Sequence, residues 1–150
     1  KTYTSAKKVV LKKPTRKGYA FKGWYTDRKC TKKITSIKKG SKKNYTVYAK
    51  WSKVKVKKTT GLKVTNTKGK NLVVKYSKVS GAKGYQITYA TNSKFTKGKK
   101  VVNTTKRTKT IQKLKKGKTY YVRVRAYKKD STGRKVYGKY STVKKIKITK

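Results

Sequence analysis

The feature that most limits what this chain can fold into is its charge. Its 49 basic residues meet only two acidic ones, for a formal net charge of +47 over 150 residues. Yet no run of Lys or Arg is longer than two residues. Residues 1–51 carry a net +16 and residues 52–150 a net +31, about the same density, so the charge is not gathered into a tail. Lysine fills the polar slots of an ordered pattern instead. Lys53-Val54-Lys55-Val56-Lys57, Val122-Arg123-Val124-Arg125-Ala126 and Lys145-Ile146-Lys147-Ile148 alternate with period two. That spacing puts the aliphatic side chains on one face of a strand and the cations on the other.

A mean hydropathy of −1.00 with 34% charged residues is the composition of a disordered chain. Three features oppose that reading: 13 Tyr and two Trp, the frequent Val and Ile at alternating positions, and a single Pro. Strand-like segments separated by Gly, Asn, Ser and Lys turns recur throughout, and no segment keeps a helical period over three turns. The expectation is an all-β protein. No apolar run approaches the roughly 18 residues of a membrane span.

The same composition removes most chemistry. There is no His and no Glu, so the commonest general bases are missing and no Ser-His-Asp or Cys-His arrangement can be built. Asp27 and Asp130, the only side-chain carboxylates, both read as turn residues. Together with Cys30 they are too few for a zinc or calcium site. The lone Cys30 forms no internal disulfide and reads as a small buried hydrophobe. No catalytic residue, metal or cofactor is expected, and a binding or structural role is.

Two units are expected, a module over 1–51 and a domain over 61–150, joined by a Lys-rich extended linker over 52–60. In the first, Pro14-Thr15-Arg16-Lys17-Gly18-Tyr19-Ala20-Phe21-Lys22-Gly23-Trp24-Tyr25 and Thr46-Val47-Tyr48-Ala49-Lys50-Trp51 carry the signal. Trp24 and Trp51 read as core aromatics, and Asp27 as a cap on nearby amides or a partner of Arg28 or Lys29. Residues 9–51 resemble the Listeria–Bacteroides repeat of internalin-type surface proteins, which implies a small β-grasp-like module. Such repeats usually open with another strand and a Gly-Gly turn. Here only Lys1 to Lys8 precede the match, so an N-terminally truncated repeat is expected. About 50 residues is also near the lower limit for a self-sufficient core.

In the second unit, Leu114-Lys115-Lys116-Gly117-Lys118-Thr119-Tyr120-Tyr121-Val122-Arg123-Val124-Arg125-Ala126 is the strongest run. It resembles the corresponding run of a bacterial fibronectin type III domain, with Lys116 where Pro is usual, and so implies a β-sandwich. The resemblance places Tyr120 at the tyrosine corner, Leu114 as a core plug and Tyr76 where a core Trp is typical. Strands are expected over 61–67, 71–76, 85–89, 100–103, 109–114 and 136–148 beside the central run. If Tyr85, Ile87, Tyr89, Val122 and Val124 face inward, then Gln86, Thr88, Tyr121, Arg123 and Arg125 face outward. Tyr121, Arg123 and Arg125 are the candidate polyanion-binding stripe, since Arg grips phosphate bidentately and stacks on rings. A plain solvated strand is the simpler account of that face.

Both resemblances imply a non-enzymatic structural and adhesive module pair, part of a longer extracellular, cell wall-associated protein of a Gram-positive bacterium, with self-assembly into a stalk or filament as an extension. The field of +47 must collect counterions or polyanions such as teichoic acid, nucleic acid or a glycosaminoglycan. Two rival accounts are a nucleic-acid-binding protein, its strand-borne Tyr and Arg stacking on bases, and the accessory domains of an extracellular hydrolase.

Overall fold

The computed structural model describes residues 6–150. Lys1 to Ser5, on which the reading of a truncated first strand partly falls, lie outside them. Among the described residues every regular element is a strand. The chain divides into two compact units: one of residues up to Val54 together with Asp130–Arg134, the other of Lys55–Lys129 and Lys135–Lys150.

The first unit pairs β1 (Val9–Val10) antiparallel with β4 (Ser36–Ile37). A second, three-stranded sheet has β2 (Tyr19–Tyr25) between β3 (Lys33–Ile34) and β5 (Tyr48–Lys53). A bulge in β2 between Phe21 and Gly23 decides what this sheet buries. Strict alternation would send Phe21 and Trp24 to opposite faces. One extra residue brings them to the same face, where the Phe21 ring meets Trp24 at 5.6 Å and Trp51 at 5.5 Å, edge to face in both cases. Gly23 adopts φ +137° at this bulge, a conformation natural only to glycine. The Trp24 indole N–H donates to the Lys12 carbonyl at 2.9 Å.

This core is thin. Trp24 and Trp51 are half-buried, and none of residues 6–54 is buried. Cys30 is half-buried too, in a left-handed turn at φ +55°, which corrects its reading as a buried hydrophobe. Asp27 shapes that turn by accepting the backbone N–H of Thr31 at 2.9 Å and of Lys32 at 2.6 Å. Those two bonds, Lys32 first, hold its carboxyl below the ordinary 3.8.

The buried member of the unit is a carboxylate, Asp130, only 8% exposed. One carboxylate oxygen accepts the Gly18 N–H at 2.8 Å. The other takes the Thr132 hydroxyl, the Thr132 N–H and the Arg134 N–H. Nearby, the Ser131 N–H donates to the Tyr19 carbonyl at 2.8 Å. These bonds, led by that from Gly18, depress the Asp130 pKa from 3.8 to about 2. The carboxylate's contribution to stability is therefore complete above about pH 3.8 and disappears as the pH falls towards 2. Acid titration followed by Trp fluorescence, which reports this unit alone, should show unfolding across that window. Asp27 acts in the same direction, so D27N/D130N should flatten the acid limb. An unchanged limb in that variant would remove both carboxylates from the account.

In the second unit β6 (Lys63–Thr67), β7 (Asn71–Lys75) and β10 (Thr108–Ile111) form a three-stranded sheet with β7 central. Facing it are β8 (Gly84–Ala90), β9 (Lys100–Thr104), β11 (Thr119–Lys129), β12 (Lys135–Tyr137) and β13 (Lys144–Lys147). β11 pairs with β8 along one edge, and β12 and β13 share the other. The core lies between the sheets, with Leu72, Val74, Ile87, Val122, Val124 and Ile148 fully buried. Leu114 is buried in it, and the Tyr120 hydroxyl accepts the Lys115 N–H at 3.2 Å, five residues upstream. Buried Tyr76 lies 4.7 Å from the Tyr85 ring and donates to the Lys106 carbonyl at 2.8 Å. Burial, with Tyr85 second, pushes its phenol up.

Residues 52–60 differ from a free linker. β5 continues through Lys53. From Lys55 the chain belongs to the second unit, where Val56 packs on the core and Thr59 is fully buried.

Candidate functional site

Arg123 and Arg125 stand two residues apart on β11, opposite Thr88 and Gln86 of β8, and so share the face turned away from the core. That face is not a row of solvated side chains. The Arg123 guanidinium carbon lies 4.0 Å from the centre of the Phe95 ring and 4.1 Å from that of Tyr140. Arg125 lies 4.6 Å from Tyr140 and 3.9 Å from Tyr137. The stack runs on through an edge contact between Tyr137 and Tyr127 at 5.8 Å and ends with the Lys135 ammonium 4.8 Å from Tyr127. From Phe95 to Tyr137 cations and rings thus alternate, each guanidinium between two rings.

Three local devices build the stack. The first is the interruption between β12 and β13. Residues 136–148 do not form one strand, because residues 138–143 leave the edge of β11. The Ser141 N–H still reaches the Val124 carbonyl at 2.7 Å, and its hydroxyl accepts the Val124 N–H at 3.1 Å. This excursion carries Tyr140 over the sheet. The second is the β8–β9 loop. The Asn92 side chain accepts the N–H groups of Thr96 and Lys97 at 3.0 Å each, and Phe95 takes a left-handed φ of +57° with its ring buried. The third is small residues beneath the stack. A Cβ on Gly84 would stand 2.5 Å from the Tyr127 hydroxyl and 2.7–2.8 Å from its ring, and Thr88 is fully buried.

Arg125 Nε also donates to Gln86 Oε1 at 2.9 Å, whereas buried Arg123 Nε has no hydrogen-bond partner among the described residues. Tyr121 lies on the same face, level with Ala90 and Lys145, and outside the stack. The predicted stripe therefore has two members in one constellation and one beside it. Phe95, Tyr137 and Tyr140 were not legible as partners. The available signal was the choice of cation: the chain has only six Arg among its 49 basic residues. A third, Arg16, lies 4.1 Å from the Tyr19 ring. Three of the six Arg thus lie over rings, whereas among the far more numerous described lysines Lys50 and Lys135 do, in keeping with a flat, weakly hydrated guanidinium that stacks more readily than an ammonium.

Residues 57–139 match the family model of the fibronectin type III domain, and residues 1–50 that of the Listeria-Bacteroides repeat domain. Among solved structures, the FN1–FN3 domains of chicken CNTN1 are 21% identical with a TM-score of 0.54, over 70% of this chain and 35% of that one. The FN5 domain of Drosophila Lar is 16% identical with a TM-score of 0.51, over 63% and 98%. A Fn3-like protein from Clostridium thermocellum is 23% identical with a TM-score of 0.49, over 61% and 92%. The first two likenesses are of fold alone. No curated protein matches the chain.

Proposed function

Since the chain belongs to the fibronectin type III family through residues 57–139 and carries a Listeria-Bacteroides repeat at residues 1–50, we propose that it serves as a non-enzymatic structural and adhesive segment of a bacterial surface protein, held to anionic wall polymers by its lysines. The observation that carries this reading is where the charge lies. Lys53, Lys55 and Lys57 are exposed between the less exposed Val54 and Val56, and Lys144, Lys145 and Lys147 are exposed around Ile146 and buried Ile148. A folded scaffold therefore presents the cations outward. Phosphate polymers gain by releasing counterions to such a surface, without need of sequence or a deep pocket. Among the described residues no helix is long and apolar enough to cross a membrane.

Arg123 and Arg125 are the proposed stronger contacts within that surface, with Tyr121 beside them. Their flat faces are taken by rings, which leaves the guanidinium edges to meet phosphate oxygens in a fixed orientation. Retention on purified teichoic acid, measured from about 50 to 500 mM salt, is expected to fall linearly in log–log form. No retention at the lowest salt would sink the reading. Retention on DNA that survives the highest salt with a defined footprint would favour the nucleic-acid account instead.

A further inference from the structure

At one end of the second unit, a cavity of about 560 Å³ opens between the loop that follows β10 and the start of β9. Four lysines line it: Lys100 from β9, and Lys113, Lys115 and Lys118 from the loop. The buried residues Tyr89, Leu114 and Tyr120 line it as well. We infer that this cavity is a subsite for a short run of linked phosphates, the local anchor of the polyanion; the inference rests on the proposed function.

The loop is tied at successive points: Leu114 N–H to the Lys70 carbonyl at 3.1 Å, Lys115 N–H to the Tyr120 hydroxyl at 3.2 Å, and Gly117 N–H to the Ile148 carbonyl at 2.7 Å. The Ile148 N–H returns to the Lys118 carbonyl at 3.0 Å. Lys113 adopts φ +57°, a left-handed turn at the mouth. Lys100 pairs with Tyr89 across β8 and β9. On the far rim, the Thr91 N–H and hydroxyl both donate to the Lys97 carbonyl. Four lysines are thus carried on fixed backbone around one concavity.

No side-chain carboxylate of this unit offsets them. The chain's two side-chain carboxylates both lie in the first unit, where backbone amides take them up. Like charges gathered around one concavity raise the potential inside it. Ammonium groups are compact donors without a planar fork, so they select charge density rather than one oxyanion shape. The volume exceeds what a single ion fills, at roughly 30 Å³ for a water-sized group, so several phosphates in a row match both the space and the four cations.

Inorganic tripolyphosphate is the probe, titrated calorimetrically into the whole chain at about 150 mM salt, where surface charges are screened beyond about 8 Å. The variant K100Q/K113Q/K115Q/K118Q should bind at least about tenfold more weakly. The charge-matched control K63Q/K75Q/K78Q/K144Q, all exposed and outside the cavity, should lose no more than about threefold, the share of a general field. Both variants relieve repulsion, so both should remain folded, which circular dichroism checks. Equal losses in the two variants, or no tripolyphosphate binding by the parent, overturn the subsite. If the parent still binds teichoic acid in that case, the wider reading stands. If it binds neither, the wider reading has failed.

Discussion

Tyr140→Ala is expected to destabilise the fibronectin type III unit by about 2–3 kcal/mol. The ring lies between two guanidiniums, at 4.1 Å from Arg123 and 4.6 Å from Arg125. A desolvated cation–π contact contributes up to about 2 kcal/mol, and an exposed one about half that. Removing the ring also uncovers Thr88, which is fully buried beneath this face. Tyr140→Phe keeps both faces and loses only long hydroxyl contacts to Thr88 and Gln86, each at 3.4 Å, so it should cost under about 1 kcal/mol. Denaturant unfolding at moderate salt distinguishes the two. A Tyr140→Ala protein within about 0.5 kcal/mol of the parent would mean that the stack is ornament to an otherwise sufficient core.

Gly138→Ala should cost a comparable amount, about 2–3 kcal/mol, for a steric reason. A Cβ there would stand 2.6 Å from the Lys57 carbonyl oxygen and 3.0 Å from both the Val56 carbonyl and a Val56 methyl. Two of those atoms are backbone and cannot rotate aside. Either the 55–59 segment lifts away or the 138–143 excursion shifts. The first loses the packing of Val56 on the core and the Thr59 N–H bond to the Lys139 carbonyl. The second disturbs the Gly138 N–H bond to the Ala126 carbonyl and the seat of Tyr140. Denaturant midpoints with an unchanged slope would report a pure stability loss. A variant as stable as the parent would show that the segment before β6 is only loosely applied.

These two sites also mark how far local reasoning reached. Strand positions in the second unit follow from period two and turn residues. The expected runs at 71–76 and 85–89 lie within a residue of β7 and β8, and the inward set Tyr85, Ile87, Tyr89, Val122 and Val124 is buried. Arg123 and Arg125 stand opposite Thr88 and Gln86, on the face away from that set, but that face is not a plain solvated strand, because the rings that cover it come from elsewhere in the chain. Phe95 arrives from a loop and Tyr140 from a broken strand, and neither has a periodic signature. The half-buried state of Trp24 and Trp51 likewise follows from a module with too little chain to enclose them.

The linear order of residues settled the all-β class, the two modules, the absence of the usual acid–base and metal ligands and the outward lysines. Each of those depends on composition or on a repeat of two residues, and neighbouring positions are enough to specify it. Folding in three dimensions decided the Phe21–Trp24 face across a bulge, the burial of Asp130 among amides of the first unit, the alternation of Arg and ring along β11, and the lysine-rimmed cavity. Each of these depends on contacts between separate segments, the bulge included, since it exists only in the pairing of β2 with β5, and their meeting depends on which chain excursions the packed sheets allow.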